Sequence, residues 1–161
     1  MGNIANRNRG ERIYMRAILQ RVSEASVTIG GEVAGKIDEG LLVLIGMGKE
    51  DTDEDIKKLV DKIIKLRLFS DQNDKINLSV RDVDGSLLIV SQFTLYWNCK
   101  KGTRPNFDGA MPPDEAKMMY DKFVDYAKST GIPVQTGVFG ADMKVAIIND
   151  GPVTVALDTK N

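Results

Sequence analysis

The sequence predicts an α+β fold in a single domain, with a strongly curved, mainly antiparallel sheet covered by two helices. Three observations lead to this prediction. The chain has 161 residues, which suits one domain with one hydrophobic core. Strand patterns occur before, between and after two helical patterns, an order typical of α+β domains. The chain contains neither internal repeats nor low-complexity tracts.

Strand patterns begin at Met15. Residues 17–29 alternate apolar and polar side chains over their second half, which is the period of a half-buried strand. Gly30-Gly31 is a two-residue hairpin signal, so residues 33–37 should form the return strand. The continuous apolar run 41–47 predicts a buried central strand.

The first helix should begin with a capping box, because Thr52 precedes Asp55 by three residues. We expect it to run over residues 53–68, followed by a polar turn at 71–74. Lysines occupy its other face, which we interpret as the solvent side. The apolar stripe on its buried face consists of Ile56, Leu59, Val60, Ile63 and Ile64.

The second half of the chain contains further strands and a long loop. Residues 78–80 and 87–90 flank Asp84-Gly85, which predicts a second hairpin. Residues 100–113 lack periodicity, and a loop of this length in a compact domain is often functional. The second helix has an apolar face between residues 116 and 127 and ends before Gly131 and Pro133; strands are then expected at 134–138, 144–148 and 153–157.

The composition excludes several kinds of catalytic site. The chain has no histidine and one cysteine, Cys99. The lack of histidine removes Ser-His-Asp and Cys-His nucleophilic mechanisms. A single cysteine forms no intramolecular disulfide and cannot complete a usual zinc site. We therefore expect an enzyme of this sequence to use backbone groups, hydroxyls, carboxylates, lysines or the substrate itself, with no metal and no organic cofactor.

Charge and hydropathy indicate an ordinary globular protein. The formal net charge is −1 and the sequence pI is about 5.5, which argues mildly against a generic nucleic-acid binder. No apolar run reaches the roughly 20 residues of a membrane helix, so a cytoplasmic location without membrane contact is the default expectation. Residues 1–14, rich in Asn, Arg and Gly, are interpreted as a disordered leader or an expression remnant, and residues 15–161 as the domain.

Ser91-Gln92-Phe93-Thr94 follows directly after an apolar strand. A strand end is a rigid mount for a site, and unpaired backbone N–H groups beyond it can stabilise an oxyanion. The alternative is a polar strand end followed by a core phenylalanine. Thr94 and Thr154 have no basic partner that would make them nucleophiles, so a positioning role is the better interpretation.

Gly151-Pro152 lies between two strand patterns. A proline donates no ladder hydrogen bond and is expected at a strand start, a bulge or an edge. An X–Pro bond can be cis, and a fixed kink would direct carbonyl oxygens that bind an ammonium group. An ordinary turn is the alternative interpretation.

A basic cluster occurs in the long loop. Lys100, Lys101 and Arg104 are cationic, and Trp97 and Phe107 are close in sequence. Cations with aromatic side chains can hold phosphates and stack on bases, although a solvated charged loop explains the same residues.

In combination, these segments resemble the D-aminoacyl-tRNA deacylase family over nearly all of residues 15–158. Residues 15–22 are similar to the family's opening strand, and 91–96 match its first signature. Residues 101–105 with Pro112-Pro113 resemble its middle loop. Residues 137–143 and 149–154 match its end.

The resemblance implies a barrel-like curved sheet and a homodimer with the active site at the subunit interface. The substrate would be aminoacyl-tRNA, including glycyl-tRNA on the alanine tRNA. Gly151-Pro152, in cis, would reach across from the partner subunit, bind the α-ammonium group and exclude L-amino acids. The amides of Phe93 and Thr94 would stabilise the oxyanion, Gln92 would lie near the ribose, and Ser91 would help organise the pocket.

The resemblance further implies that the tRNA's own 2′-hydroxyl activates water, while Lys100, Lys101 and Arg104 contact tRNA. Trp97-Asn98-Cys99 depart from the small polar residues expected after the first signature, which puts the tRNA contacts of this loop in doubt. Two alternatives stay open. One is a nucleic-acid-binding module with a vestigial pocket, and the other is a small-molecule hydrolase with Thr94 as nucleophile.

Overall fold

The computed structural model describes residues 12–160. These residues confirm the predicted α+β class with a curved sheet and two helices. The elements are β1 (Arg16–Ile29), β2 (Glu32–Ile37), β3 (Gly40–Gly46), α1 (Asp53–Lys65), β4 (Phe69–Ser70), β5 (Ile76–Leu78), β6 (Ser86–Ser91), a 3-10 helix (Phe93–Tyr96), α2 (Pro113–Ser129), β7 (Val134–Thr136) and β8 (Lys144–Asp158).

Strand β1 is the hub of the large sheet. It pairs antiparallel with β2, β3 and β8, which confirms the predicted hairpin at Gly30-Gly31. Strands β3 and β6 run parallel, as do β6 and β7. The sheet is therefore mixed, and among the described residues most of its pairings are antiparallel.

The two ends of the sheet approach each other at Gly35 in β2 and Thr136 in β7. Strands β2 and β7 are the first and last in the strand order. A Cβ atom at Gly35 would lie 2.5 Å from the carbonyl oxygen of Thr136. Because that distance is a steric clash, only glycine, which has no Cβ atom, fits here. The sheet is thus curved almost into a closed barrel, as the resemblance implies.

Strand β3 is buried on both faces, which explains its uninterrupted apolar sequence. Leu41, Val43 and Ile45 belong to the core between the sheet and the helices. Leu42 belongs to a second cluster with Val22, Val27 and Leu88 inside the curved sheet. The buried faces of the helices match the predicted stripes and consist of Ile56, Leu59, Val60, Ile63 and Ile64 in α1 and Ala116, Tyr120, Phe123, Val124 and Ala127 in α2.

Helix α1 begins as predicted but ends early. The Thr52 amide donates to the Asp55 carboxylate at 2.8 Å, and the capping box is present. The prediction that the helix reaches residue 68 was wrong, because Leu66 has extended backbone angles. The carbonyl of Leu68 instead accepts a hydrogen bond from Arg21 Nη1 at 2.8 Å. A tertiary contact therefore replaces the last helical turn.

The predicted hairpin at Asp84-Gly85 was also wrong. Strand β5 pairs with β4, and β6 pairs with β3 in parallel register. Residues 79–84 form turns instead, in which the Ser79 amide donates to the Asp82 carboxylate at 2.9 Å. The turn signal was real, but the strands on either side of it belong to different sheets.

The last three predicted strands become two. Strand β7 ends at Thr136, two residues before the predicted end. Residues 144–158 form one long strand, β8, that contains Gly151-Pro152 within it. The pairing of β8 with β1 has register shifts beside this dipeptide, so the proline lies at an irregularity of an edge strand, as the chemistry of proline requires.

Candidate functional site

A cavity of about 590 Å³ opens beyond the parallel strands β3 and β6. Sites are common at the ends of such strands, because the sheet holds the first residues of the following loops rigidly. The wall is mainly apolar, as in most small-molecule sites. Its residues include Ser91, Gln92, Phe93, Phe107, Tyr120 and Met143.

The 3-10 helix at the cavity edge is anchored to β3. The Gln92 amide donates to the Ile45 carbonyl at 2.8 Å. The buried Tyr96 hydroxyl lies 2.8 Å from the Gly46 carbonyl oxygen. A Cβ atom at Gly46 would lie 2.8 Å from Tyr96 Cε2, so glycine permits this close packing. Arg16 Nη1 donates to the Leu95 carbonyl at 3.0 Å and closes the last turn.

Two backbone amides at the start of this helix remain available. No acceptor within residues 12–160 takes a hydrogen bond from the N–H of Phe93 or Thr94. The first N–H groups of any helix lack an intrahelical partner, and these two lie at the edge of the cavity. The Gln92 side-chain amide donates to the Thr94 hydroxyl, so Thr94 has a side-chain partner within the helix.

The cavity wall is largely uncharged. Burial raises the pKa of Tyr120, whose hydroxyl donates to the Ile89 carbonyl at 2.8 Å, so it stays neutral. The one carboxylate among the described lining residues, Asp142, has a side chain that is 89% exposed and lies 3.5 Å from Lys144 Nζ. The arrangement therefore offers hydrogen-bond donors and apolar contacts rather than a buried general base.

A buried carboxylate lies behind the anchored helix. Asp51 Oδ2 accepts from the Gly48 amide at 2.6 Å. Burial raises the pKa of Asp51 to about 6. Arg12 Nη2 lies 2.7 Å from Asp55 Oδ2 and 3.6 Å from Asp51 Oδ1. Arg12 falls within the predicted leader; residues 1–11 of that leader lie outside the described part of the chain.

Gly151-Pro152 is contacted by Arg21 on one side and exposed to solvent on the other. The Gly151–Pro152 peptide bond is cis. Both residues are exposed, and neither lines the cavity of its own chain. Arg21, which is 8% exposed, donates from Nε to the Asp150 carbonyl at 2.8 Å. Gly151 has φ +125°, and a Cβ atom there would lie 2.9 Å from Arg21 Nη2.

The basic cluster lies at the tip of a pinched loop. Asn98 and Asn106 form an isolated antiparallel bridge with two backbone hydrogen bonds of 2.8 and 2.7 Å. Lys100, Lys101 and Arg104 lie between them and are all exposed. The long loop is therefore partly ordered by its own backbone.

Part of the predicted site comes together in one chain. Ser91, Gln92 and Phe93 share the cavity, and Thr94 continues the same helix. Gly151-Pro152 and the three loop cations lie outside that cavity. Sequence reasoning missed Arg21 and Tyr96 as anchors of the two segments. The sequence carries no local signal for either, because their partners are carbonyl groups distant along the chain.

Neither a metal-binding cluster nor a membrane-spanning helix is found among residues 12–160. Across residues 12–160, no group of three or more His, Cys, Asp or Glu side chains is arranged to hold a metal ion. Neither described helix combines the length and hydropathy that crossing a membrane requires.

The family model and the relatives compared by sequence agree with one another. The family model described as D-Tyr-tRNA(Tyr) deacylase matches residues 18–158. A D-aminoacyl-tRNA deacylase of Halothermothrix orenii is 57% identical over 145 residues, which cover 90% of this chain and 97% of that protein. One of Geobacter sulfurreducens is 57% identical over 147 residues, covering 91% and 97%.

Solved structures share the fold. One described as c-Myc DNA Unwinding Element Binding Protein superposes with a TM-score of 0.84 and 42% identity, covering 89% of this chain and 98% of the other. Another, described as a probable eukaryotic D-amino acid tRNA deacylase, gives a TM-score of 0.77 at 19% identity over 89% and 98%. The second likeness concerns the fold alone.

Proposed function

The chain belongs to the D-Tyr-tRNA(Tyr) deacylase family, and on that premise we propose that it is a carboxylic ester hydrolase acting on mischarged D-aminoacyl-tRNA. The reaction releases the free amino acid and tRNA. The observation that carries the proposal is the pair of unengaged amides at Phe93 and Thr94, on an anchored helix beside an apolar cavity. No organic cofactor or metal is required.

The two amides act on the oxyanion of the reaction. Attack of water on the ester carbonyl places negative charge on its oxygen, which preorganised N–H donors stabilise. The helix is anchored by hydrogen-bond contacts of Gln92 and Tyr96 with β3, of Leu95 with β1, and of the Tyr96 hydroxyl with the Tyr14 carbonyl before β1. The donors therefore need little reorganisation. Ser91 and Thr94 organise the pocket, and Gln92 lies on the side of the ribose.

Water is activated by the substrate. The chain has no histidine, and Asp142, the carboxylate of the described cavity wall, is exposed and paired with Lys144. The 2′-hydroxyl of the terminal ribose neighbours the ester and supplies the missing group. The protein then contributes position and oxyanion stabilisation rather than a catalytic side chain.

Gly151-Pro152 acts in the cavity of a second subunit. An exposed dipeptide, held at Asp150 by Arg21 and absent from the wall of its own cavity, suits a homodimer in which each copy completes the other's site. Its carbonyl oxygens bind the α-ammonium group. An L side chain would collide with the dipeptide, whereas a D side chain would not. Glycine passes the same filter, so glycyl-tRNA on the alanine tRNA is also a substrate.

Lys100, Lys101 and Arg104 contact the tRNA backbone. They are exposed at the tip of the pinched loop, where phosphate contacts position a nucleic acid without reading its sequence. A cytoplasmic location, where charged tRNA is used, follows from this substrate.

The direct test offers D-tyrosyl-tRNA and L-tyrosyl-tRNA to the purified protein. We expect rapid release of D-tyrosine only; equal release of both, or of neither, contradicts the proposal. A substrate with a 2′-deoxy terminal adenosine should react far more slowly. Thr94→Val should retain most activity, whereas complete loss would favour a threonine nucleophile.

Subunit complementation tests the shared site. Gly46→Ala should displace the 3-10 helix, and Gly151→Val should displace the dipeptide carbonyls that bind the α-ammonium group, so each homodimer should lose most of its activity. Dissociating and mixing the two variants yields heterodimers in which one of two sites is intact. Activity should return to about one quarter of the wild-type value for random pairing of equal amounts. No recovery, with heterodimers shown to form, would place both segments in one subunit's site.

DNA binding is a second candidate, favoured by the name of the 42% identical structural relative. In that case the cavity is vestigial and the loop cations contact phosphates. Tight binding to duplex DNA without ester hydrolysis would support this candidate over the first.

A further inference from the structure

We propose that a second cavity, behind the 3-10 helix, binds the unpaired nucleotides that precede the terminal adenosine of the tRNA, with Trp97 as the stacking platform. The inference rests on the proposed tRNA substrate. It concerns a surface distinct from the ester-cleaving cavity, built by the residues that depart from the family's expected loop sequence.

The second cavity has the composition of a nucleotide site. Its volume is about 500 Å³, within the range of ligand pockets. Cations, an aromatic ring, amides and one carboxylate converge on it. The polar and aromatic residues of its wall include Arg16, Trp97, Asn98, Lys100, Asn106 and Asp108.

A row of aromatic rings joins the two cavities. Phe93 and Phe107 line the first cavity, and their ring centroids lie 5.0 Å apart. The Phe107 ring meets Trp97, which lines the second cavity, at 5.6 Å. Trp97 is nevertheless 53% exposed and Phe93 60% exposed. Trp97 and Phe93, exposed on either side of the half-buried Phe107, offer two rings on which unpaired bases can stack.

The charges of the second cavity suit a phosphate backbone. Arg16 is held by its bond to Leu95 and by its position 4.9 Å from the centre of the Tyr96 ring. Within residues 12–160, no carboxylate forms an ion pair with Arg16 or Lys100. Both cations are therefore available to an anionic ligand.

The edge of the cavity can also contact bases. Asp108 is exposed and accepts from Asn106 Nδ2 at 2.9 Å, which orients its carboxylate. A carboxylate accepts from the amino group of cytosine. The backbone bridge between Asn98 and Asn106 holds this edge in place. Cations, a stacking ring and base-edge acceptors together favour single-stranded RNA over a peptide.

The first experiment uses the intrinsic fluorescence of the protein, because Trp97 is its one tryptophan. The probes are the trinucleotide CpCpA, adenosine 5′-monophosphate, and a CpCpA analogue that is abasic at both cytidine positions. We expect saturable quenching by CpCpA alone. Equal quenching by the monophosphate or the abasic analogue, or no quenching by CpCpA, would overturn the proposal.

The second experiment compares Trp97→Ala with Trp97→Phe. For D-tyrosyl-tRNA, Trp97→Ala should raise KM about tenfold, the order expected for loss of one base stack, with little change in kcat. Trp97→Phe should recover most of the loss. The minimal ester D-tyrosyl-adenosine should be hydrolysed equally by all three proteins. Met118→Ala, which removes another exposed side chain (65%) that lines neither cavity, is the matched control.

Three results would contradict the proposal. The first is an unchanged KM for tRNA in Trp97→Ala, and the second is hydrolysis of the minimal ester slowed by this variant as much as hydrolysis of D-tyrosyl-tRNA. The third is dissociation of Trp97→Ala into monomers, measured by light scattering, which would assign the tryptophan to a subunit interface. If the wild type hydrolyses neither substrate, the proposed function fails, while the CpCpA titration still decides whether the cavity binds RNA.

Discussion

The two signature segments of this chain are held in opposite ways. The 3-10 helix Phe93–Tyr96 is anchored to β1, β3 and the chain before β1, and lies at the edge of a cavity of its own chain. Gly151-Pro152 is exposed in β8 and depends on Arg21 below it. The proposed roles account for this difference: a segment that presents backbone amides would be fixed from several sides, whereas a segment that enters a partner's cavity would be fixed from one side and left free on the other.

The largest expected effect on activity comes from displacing the anchored 3-10 helix. Gly46→Ala places a Cβ atom 2.8 Å from Tyr96 Cε2 and pushes the 3-10 helix away from β3. A misplacement of this kind can reduce kcat by about 100-fold. Gly31→Ala, in a hairpin turn with φ +83°, should cost stability but no activity. Unfolding curves and D-tyrosyl-tRNA kinetics of both variants separate the two effects; unchanged kcat in Gly46→Ala would contradict the anchoring role.

The exposed dipeptide Gly151-Pro152 should be sensitive to substitution of Arg21, which holds it at Asp150. Arg21→Lys loses the paired donation to the part-buried Asp150 and Leu68 carbonyls, of 2.8 Å each. We expect about 3 kcal/mol lower stability and a weaker preference for D- over L-substrates. Arg67→Lys is the matched control, because exposed Arg67 donates to the Asn77 carbonyl. If Arg21→Lys keeps full stability and chiral preference, the arginine does not position the dipeptide.

A pH measurement sharpens the comparison, since the anchored side contains a buried carboxylate. Burial raises the pKa of Asp51 to about 6 from 3.8. Between these values the folded state keeps a proton that the unfolded state releases, so the contribution of Asp51 to stability falls as pH rises from about 4 to 6. As pH rises over this range, the free energy of unfolding of Asp51→Asn should therefore increase by up to about 3 kcal/mol relative to that of the wild type.

Asp55 provides the control of opposite sign. Burial opposes its ionisation, but hydrogen bonds from Thr52 and Arg12 outweigh that effect and lower its pKa. Its contribution to stability is present above pH 3.8 and is lost as pH falls below it. Urea unfolding across pH 3–7 measures the stability contributions of both carboxylates. If the free energies of unfolding of the wild type and Asp51→Asn depend on pH in the same way, Asp51 does not titrate in this window.

The smallest effect concerns the loop tip. Replacing Lys100, Lys101 and Arg104 by alanine should weaken tRNA binding modestly at low salt and reduce the slope of log Kd against log salt concentration by about 2, if each cation contacts one phosphate of a single strand. The chiral preference should not change. An unchanged slope would remove these residues from the tRNA interface.

The sequence predicted what depends on local pattern. The apolar run of β3, the stripes of both helices and the Thr52–Asp55 capping box are confirmed, because each depends on neighbours within a few residues. The Asp84-Gly85 hairpin failed, because a turn signal does not state which strand pairs with which. The end of α1 failed for a similar reason, since the Leu68 carbonyl bonds Arg21, which is distant in sequence.

For the candidate site, too, local features could be predicted from the sequence, and contacts between distant residues could not. The segment 91–94 was located from a strand end and from resemblance, but its anchors, Arg16 and Gly46, could not be, because they act through contacts made only in the folded chain. Trp97 was noted in sequence as a departure from the family. Its place in the wall of the second cavity, against the Phe107 ring of the first, depends on contacts made only in the folded chain.

The pairing of the first strand with the last has a consequence for synthesis on the ribosome. Arg21 and Asp150 are 129 residues apart, and β8 is one of the three partners of β1. Until residues 144–158 emerge, one edge of β1 lacks its partner and is open to other extended chains. A nascent or truncated chain therefore carries an exposed edge for most of its translation, and such chains should be stronger clients of chaperones than the finished protein.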